Sequence, residues 1–377
     1  MSTYNDVTQP HLSGINHIDA LLDVGPAWNY SLPAINSISY TFDVSVGIDD
    51  PAPLIGFDGS QQAYTRQAIA YVTSITGVRF VETANGNDAM LHFAMKNLRG
   101  PSTEGLCAWG PSVETNANGT VTHYDAQVYV FLDSYEWLDE NLQLAPGGEG
   151  YDTLLHEIGH AMGLKHPFED GVTLPTNEDN SANSIMSYTA SGAPRGSYAP
   201  YDIAALKWLY GGDGLGGKLG LNSIGGGMYI VGNSSNENLV GGNGDDVFET
   251  GGSNDFVDGG AGSDLIRYNG WRDNFAVNKQ GNLLTLTDRT GVYGTTTTTN
   301  VERFQFIDRE ISFDVDGNVG KGYRLYQAAF DRVPDQDGLG FWVHSLDLGT
   351  SLQECASGFV QSAEFRTVYG SNPTAEQ

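Results

Sequence analysis

Cysteine is scarce in this sequence, with only Cys107 and Cys355 among 377 residues. Two cysteines exclude a fold that depends on a disulfide framework, and we expect two free, mostly buried thiols, with a bond between them as the less favoured alternative. Long apolar runs are also missing, because no stretch approaches the roughly 18 consecutive apolar residues of a membrane-spanning helix. The sequence therefore predicts a soluble chain without a membrane span.

Basic residues are few as well, since 18 Lys and Arg face 46 Asp and Glu, a formal net charge of −28. Phosphates are bound by clustered cations, so this balance argues against a nucleic acid partner. The acidity suits the binding of hard cations, although a surface kept in solution by charge repulsion explains part of it. The first residues, MSTYNDVTQPHLSG, contain neither a basic nor an apolar segment, so a Sec-type signal peptide is not found in the sequence given and export would need another route.

Residues 15–212 alternate strand-like and helix-like segments, which predicts an α+β domain behind an N-terminal extension at residues 1–14. The segments with the clearest strand or helix pattern are Ser37 to Val44, Gln61 to Ile75, Ala89 to Ala94, Ala126 to Leu132, Tyr151 to Met162 and Pro200 to Leu209. The helix near Tyr151 carries one apolar stripe, and Gly163 offers its C-terminal stop.

Glycine, by contrast, is abundant, with 49 residues, and it dominates the region assigned to a separate domain at residues 213–270. Four nine-residue segments superpose there, starting at Gly232, Gly241, Thr250 and Gly259. Their sixth positions are acidic: Glu237, Asp246, Asp255 and Asp264. Such side chains supply hard oxygen ligands for calcium. The apolar residue at every eighth position argues against the alternative, a flexible Gly/Asn linker.

The rest of the chain changes pattern twice. Residues 271–316 are β-like and are expected to cap the exposed last coil of a solenoid. Residues 317–377 are helical and rich in aromatic side chains, and they form a module too small to be a catalytic domain.

The segment HEIGHAMGLKHP, residues 156–167, predicts a metal site. His156 and His160 are four apart and therefore project from one helix face towards a single zinc ion, and the turn at Gly163 brings His166 round as a third ligand. Three imidazoles leave a fourth position open for a water molecule, from which Glu157 can take a proton without being a ligand itself. The alternative is a histidine pair that only packs.

This segment resembles the metzincins and, within them, the serralysin family. The likeness extends to SIMSY at residues 184–188, to INHIDALLDVGPAW upstream and to the helix APYDIAALKWLYG. It implies a metzincin catalytic domain, built from a twisted sheet and a long zinc-binding helix. Met186 would form an apolar floor under the histidines, and Tyr188 would be a retractable zinc ligand that stabilises the oxyanion. Without the resemblance both would count as ordinary packing residues.

The nine-residue segments resemble RTX repeats, G-G-x-G-x-D-x-U-x, which implies a short parallel β-roll that binds several calcium ions. Residues two repeats apart would stack, which pairs Glu237 with Asp255 and Asp246 with Asp264. Glu237 replaces an aspartate, so the outer sites are expected to be weak or empty. RTX proteins are typically exported by a one-step bacterial system that reads a C-terminal signal, which implies an extracellular protein.

These observations predict a secreted zinc-dependent endopeptidase that hydrolyses internal peptide bonds of extracellular proteins, with Glu157 as general base and with calcium stabilising the repeats. The alternative is a calcium-dependent surface-binding or adhesin-like protein that retains the metzincin scaffold. Expected partners are protein or peptide substrates, with a surface or matrix partner for residues 317–377. By analogy with the family, residues 1–14 are a propeptide that crosses the cleft, or else a disordered terminus. Cys107 is expected to be a small buried hydrophobe, with an inhibitory zinc thiolate as the lesser alternative.

Overall fold

The computed structural model describes residues 2–48, 53–100 and 102–370. Residue 1 and residues 371–377, which belong to the predicted N-terminal extension and C-terminal module, lie outside them. The chain is a mixed α/β protein whose first sheet has the order β3-β1-β4-β6-β5, with β2 antiparallel to β4. Its strands are β1 Ile38–Thr41, β2 Leu54–Ile55, β3 Phe80–Glu82, β4 Leu91–Lys96, β5 Gly105–Thr115 and β6 Val121–Asp133.

Parallel pairing in this sheet requires crossovers, and a helix supplies the first of them. Helix α2, Gly59–Thr76, follows β2 and ends at Gly77, which has φ +69°. The side chain of Asp58 caps its start by accepting from the backbone N–H groups of Ser60 and Gln61. The predicted strands and this helix are confirmed within a few residues. The long hairpin of β5 and β6 extends well beyond the predicted strand, because its outer half is too polar for an apolar alternation to mark it.

Four further helices complete the first part of the chain: α1 Asn16–Asp19, α3 Leu138–Asn141, α4 Glu149–Ala161 and α5 Pro200–Tyr210. Helix α4 lies against β5 and β6, and its predicted apolar stripe is buried: Tyr151, Leu154, Leu155, Ile158 and Met162 are each at most 1% exposed. Full burial of one such aliphatic side chain contributes about 1.5–3 kcal/mol. The stripe therefore fixes which face of α4 turns away from the core.

The glycine-rich region forms short strands that stack in two parallel series. One sheet contains β8 Asn238–Val240, β10 Asn254–Asp258 and β14 Thr295–Thr299, and the other β7 Tyr229–Val231, β9 Val247–Glu249, β11 Leu265–Arg267 and β15 Arg303–Gln305. The eighth repeat positions Leu239, Phe248, Val257 and Ile266 are all 0% exposed. A flexible linker would not bury them, so that alternative is wrong.

Antiparallel strands close both series: β12 Phe275–Gln280 and β13 Leu283–Asp288 beside β14, and β16 Glu310–Ser312 beside β15. Strands β14 and β15 themselves extend the parallel stacks beyond the fourth repeat. The segment expected to act only as a cap therefore also continues the ladder. At the start of the stack, α5 lies against β7, and its Lys207 Nζ is 2.8 Å from Oε1 of Glu249 on β9.

The C-terminal part contains α6 Asn318–Phe330, α7 Gln336–Asp347, α8 Leu352–Gln361 and α9 Ala363–Tyr369. Its aromatic side chains pack on one another, with the ring centroids of Tyr326 and Trp342 4.8 and 4.9 Å from that of Phe359. Among the described residues, no helix has both the length and the hydropathy that crossing a bilayer requires.

The N-terminal extension packs against the β5–β6 hairpin. Thr3 forms a β-bridge with Thr120 at the tip of the β5–β6 hairpin, and Val7 lies in a small apolar cluster with Val121 and Tyr124. The described part of the extension is therefore held on the β5–β6 hairpin. Both cysteines are free thiols as predicted; Cys355 is buried, whereas Cys107 is only half-buried.

Candidate active site

Three imidazoles converge at the C-terminal end of α4. His156 and His160 project from the helix, Gly163 adopts φ +91°, and the backbone N–H of Lys165 donates to Leu21 O, which turns the chain back. The Nε2 atom of His166 then lies 3.1 Å from the Nε2 atoms of both helical histidines. The structure thus brings together the three predicted ligands.

The outer nitrogen of each imidazole has an oxygen acceptor. Nδ1 of His156 lies 2.8 Å from Ile185 O, Nδ1 of His160 lies 2.8 Å from Leu164 O, and Nδ1 of His166 lies 2.6 Å from Glu169 Oε1. Because these oxygens accept, each Nδ1 carries the proton and each Nε2 turns a lone pair inwards.

Three inward lone pairs repel one another unless a cation lies between them. Tetrahedral zinc at about 2.0–2.1 Å from each nitrogen would space the nitrogens by about 3.3 Å, close to what is observed. Burial, followed by the neighbouring imidazole, lowers the pKa of His156 to about 3 and that of His160 to about 4. These side chains are therefore neutral near pH 7, as a zinc ligand must be. The donor set fits zinc.

Glu157 follows the first histidine but faces another element. Its carboxylate accepts from the backbone N–H of Cys107 and packs on Gly105, where a Cβ would come within 2.7 Å of both Cγ and Oε1 of Glu157. Burial, with a smaller contribution from the charge of Glu104, raises the pKa of Glu157 to about 8. A carboxylate held this way has a strong affinity for a proton. Cys107 lies on the same strand as Gly105. Among the described residues, the side chains grouped closely enough to share a metal ion are the three histidines, and the Cys107 thiol is not in that group.

Met186 lies directly beneath the metal-facing helix and is 0% exposed. A Cβ at Gly159 would lie 2.7 Å from Met186 Sδ, so only glycine lets this side chain approach the helix so closely. The apolar floor predicted for Met186 is consistent with this packing. The role of Gly159 was not predicted, since a glycine inside a helix can have many causes.

Asp202 on α5 fastens the segment that holds the first histidine. Its carboxylate is fully buried and accepts from Ser184 Oγ at 2.6 Å, from Ile185 N at 2.9 Å and from Ala199 N at 2.8 Å. The carbonyl oxygen of Ile185 in turn binds His156. Asp202 lies within the helix predicted at Pro200 to Leu209, and no role in the site was predicted for it; an acidic residue between apolar neighbours was the available signal.

Two residues that hold the third imidazole, Lys165 and Glu169, were also not predicted from the sequence. Glu169 orients His166, and Lys165 Nζ lies 3.3, 3.4 and 3.0 Å from the carbonyl oxygens of His166, Glu169 and Val172. Together they hold the loop that carries the third imidazole. Neither contact can be read from spacing, because both depend on how the loop bends.

Tyr188 is 70% exposed and lies at the open side of the imidazoles. Its ring centroid is 4.6 Å from that of His166, 5.9 Å from that of His156 and 5.0 Å from that of Phe168. The exposed side chain thus lies beside the predicted metal donors.

The acidic repeat positions stack in the expected pairs. Glu237 N donates to Asp255 Oδ1 at 2.9 Å, and Asp246 N donates to Asp264 Oδ1 at 2.8 Å. Burial is the main cause that raises the pKa of Asp255 to about 6 and that of Asp264 to about 8, and neighbouring carboxylates add to it. One oxygen of each of these two side chains has no hydrogen-bond partner within the described chain. Buried carboxylates with a free oxygen suit a hard cation.

Both oxygens of Glu237 lie close to protein groups, as do those of Asp246, whereas Asp255 and Asp264 each keep one oxygen without a partner among the described residues. Oε2 accepts from Asn233 N at 2.6 Å, and Oε1 lies 3.3 Å from Nδ1 of His17, a side chain only 2% exposed. His17 therefore joins α1 to the first repeat. Its interdomain contact was invisible in the sequence because the two residues are far apart along the chain.

Comparisons with known proteins agree with this site. Residues 59–199 match Metallo-peptidase family M12, residues 231–266 match the RTX calcium-binding nonapeptide repeat (4 copies), and residues 323–376 match a domain of unknown function, DUF4214. The first two matches indicate the class: residues 59–199 are similar to a metallopeptidase domain, and residues 231–266 are similar to calcium-binding repeats.

Curated relatives refine the class. Metalloprotease AprA of Pseudomonas entomophila (strain L48) is 28% identical over 265 residues, covering 61% of this chain and 52% of the relative. Serralysin of Proteus mirabilis is 26% identical over 227 residues, covering 51% and 44%. The resemblance to serralysin-type metzincins is thereby confirmed. This chain spans only about half the length of these relatives. The extracellular lipase LipA of Serratia marcescens matches 23% of this chain and 15% of its own, at 25% identity with a TM-score of 0.15, too low to support a conclusion.

Proposed function

We propose that this protein is a secreted zinc-dependent endopeptidase that cleaves internal peptide bonds of extracellular proteins. The observation that carries the proposal is the convergence of three Nε2 atoms whose partner nitrogens are all held by oxygen acceptors. An array of this kind is costly for neutral imidazoles alone, whereas it matches the donor geometry of zinc. His156, His160 and His166 would hold the ion.

Bound zinc supplies Lewis acidity, which polarises a substrate carbonyl and makes a water molecule more acidic. The proton of that water is taken by Glu157 and delivered to the leaving amine, and the raised pKa of its carboxyl group favours the uptake. We infer that the hydroxyl of Tyr188, whose ring lies beside His156 and His166, would donate to the developing oxyanion. In this proposal Tyr188 acts both as a retractable zinc ligand and as an oxyanion donor.

An extended polypeptide suits the surface beside Glu157. Strand β5 is the edge of its sheet, so its outer backbone groups are available to pair with a substrate strand. Such pairing does not require a chain end, which favours cleavage at internal bonds.

The repeats support an extracellular location. We infer that they form a parallel β-roll stabilised by calcium, with Asp246, Asp255 and Asp264 among the ligands and Glu237 held more by His17 than by a cation. Low calcium inside a cell would leave the roll unfolded for one-step export through a C-terminal signal, and calcium outside would drive its folding. The same proposal includes a surface or matrix partner for residues 317–377 and a cleavable propeptide at residues 1–14. It also places domain boundaries near residues 212, 270 and 316.

Casein cleavage tests the assignment. Wild-type protein is expected to release peptides, and Glu157→Ala or a zinc chelator is expected to stop the release. Glu149→Ala, which removes an exposed carboxylate from the first turn of the same helix, is the matched control and should remain active. Equal release by Glu157→Ala and wild type would contradict the protease and favour the calcium-dependent binding protein.

A further inference from the structure

The ladder of acidic positions continues beyond the fourth repeat. Strand β15 pairs with β11 so that Arg303 stands opposite Leu265, which places Glu302 opposite Asp264. Asp264 N donates to Glu302 Oε2 at 2.8 Å, the same contact that Asp246 N makes with Asp264 Oδ1 at 2.8 Å. Glu302 thus occupies a sixth position, although it lies outside the nine-residue segments.

The backbone around Glu302 also repeats the earlier pattern. A Cβ on Gly241 would overlap Gly259 O and Asp246 Oδ2, and a Cβ on Gly259 would overlap Asn300 O and Asp264 Oδ2. The carbonyl oxygen of Asn300 therefore takes the place that a glycine carbonyl takes one repeat pair earlier. Asn300 has φ +53°, a left-handed conformation that asparagine tolerates better than most residues.

One carboxylate oxygen of Asp264 has no hydrogen-bond partner among the described residues. Asp246 Oδ2 accepts from Gly242 N at 2.6 Å, whereas Asp264 Oδ2, in a side chain that is 0% exposed, has no hydrogen-bond partner among the described residues. The adjacent cation does not compensate it, because the guanidinium of Arg303 bonds both oxygens of Asp347 at 2.6 and 3.0 Å. Asp264 Oδ2 and Asn300 O both lie within 2.5 Å of the point where a Cβ on Gly259 would be, and buried oxygens grouped in this way without a protein cation are stabilised by a bound one.

We propose that Glu302, Asp264 and the carbonyl oxygen of Asn300 bind a calcium ion in an additional site beyond the four repeats. The inference rests on the calcium binding proposed above and extends it to a residue without a repeat motif. It applies to one side of the stack alone, since the residue opposite Asp255 is Thr296, which offers no carboxylate. A count from the repeats would therefore underestimate the bound calcium by one ion.

Calcium stoichiometry of the purified full chain tests this site, measured by titration calorimetry after chelation and exchange into calcium-free buffer. Glu302→Gln is expected to bind one calcium ion fewer than wild type. Glu310→Gln removes the same charge from the neighbouring strand β16 and should bind the wild-type number. Circular dichroism and zinc content report whether each variant is folded.

The possible results distinguish the additional site from calcium binding by the repeats. An unchanged calcium count in folded Glu302→Gln overturns the additional site and leaves the calcium-binding repeats intact. Wild-type protein that binds no calcium overturns both. Should Glu302→Gln fail to fold, Glu302→Asp decides: the same count with weaker affinity for one ion supports the site, and wild-type affinity at every ion contradicts it.

Discussion

Substitution of Gly105 by alanine should disable the general base without removing the metal. The new Cβ would lie 2.7 Å from Cγ and Oε1 of Glu157 and 2.8 Å from Cγ2 of Thr153, closer than carbon atoms approach without displacement. Because β5 is anchored by its long ladder with β6, we expect the Glu157 side chain to move. A displacement of about 1 Å at a catalytic group costs about 100-fold in rate, or about 3 kcal/mol of transition-state stabilisation.

The assay is kcat/KM on a quenched-fluorescence peptide, with zinc content measured on the same sample. Gly105→Ala should lose about 100-fold in kcat/KM and retain its zinc, because the three atoms nearest to the added Cβ belong to Glu157 and Thr153 and not to an imidazole. Gly110→Ala, on the same strand with no atom within 4 Å of the added Cβ, is the matched control and should keep wild-type activity. Wild-type kcat/KM in Gly105→Ala would refute the placement of Glu157 as the base.

Three further perturbations test the surroundings of the site and the repeats. Glu169→Gln should weaken zinc binding about 10- to 100-fold, measured by competition with a chromogenic chelator, and an unchanged affinity would contradict its orienting role for His166. Asp202→Asn places an amide where three hydrogen-bond donors now point. We expect the free energy of unfolding to fall by about 2 kcal/mol or more, which a thermal melt would show as a lower Tm. An unaltered Tm would contradict the role of Asp202 in holding the Ser184–Ile185 segment. Calcium binds ionised carboxylates, and burial is the main cause that raises the pKa of Asp264 to about 8 and that of Asp255 to about 6. Protons should therefore compete with calcium, and the calcium Kd should rise as the pH falls from 8 to 6. A Kd independent of pH would contradict this.

The zinc ligands could be predicted because their geometry is local. A spacing of four on one helix and a glycine turn fix the directions of His156, His160 and His166 almost independently of the rest of the fold. The repeat pattern was equally accessible, since an apolar eighth position recurs at a constant interval.

Contacts that join distant parts of the chain could not be predicted in this way. Asp202 lies 46 residues beyond His156, and Glu302 lies 38 residues beyond Asp264; each is an ordinary acidic residue until folding places it beside its partners. Gly105 and Gly159 are similar cases, because the side chains that exclude a Cβ there come from other elements. The sequence specifies these contacts only through the whole three-dimensional packing.

The central claim is that three histidines hold one zinc ion, and metal analysis by inductively coupled plasma mass spectrometry tests it most directly. Dialysed wild-type protein should contain one zinc per chain, and His166→Ala should lose most of it, while His123→Ala, a histidine on the distant hairpin, should retain it. Full zinc occupancy in His166→Ala at wild-type affinity would contradict the account.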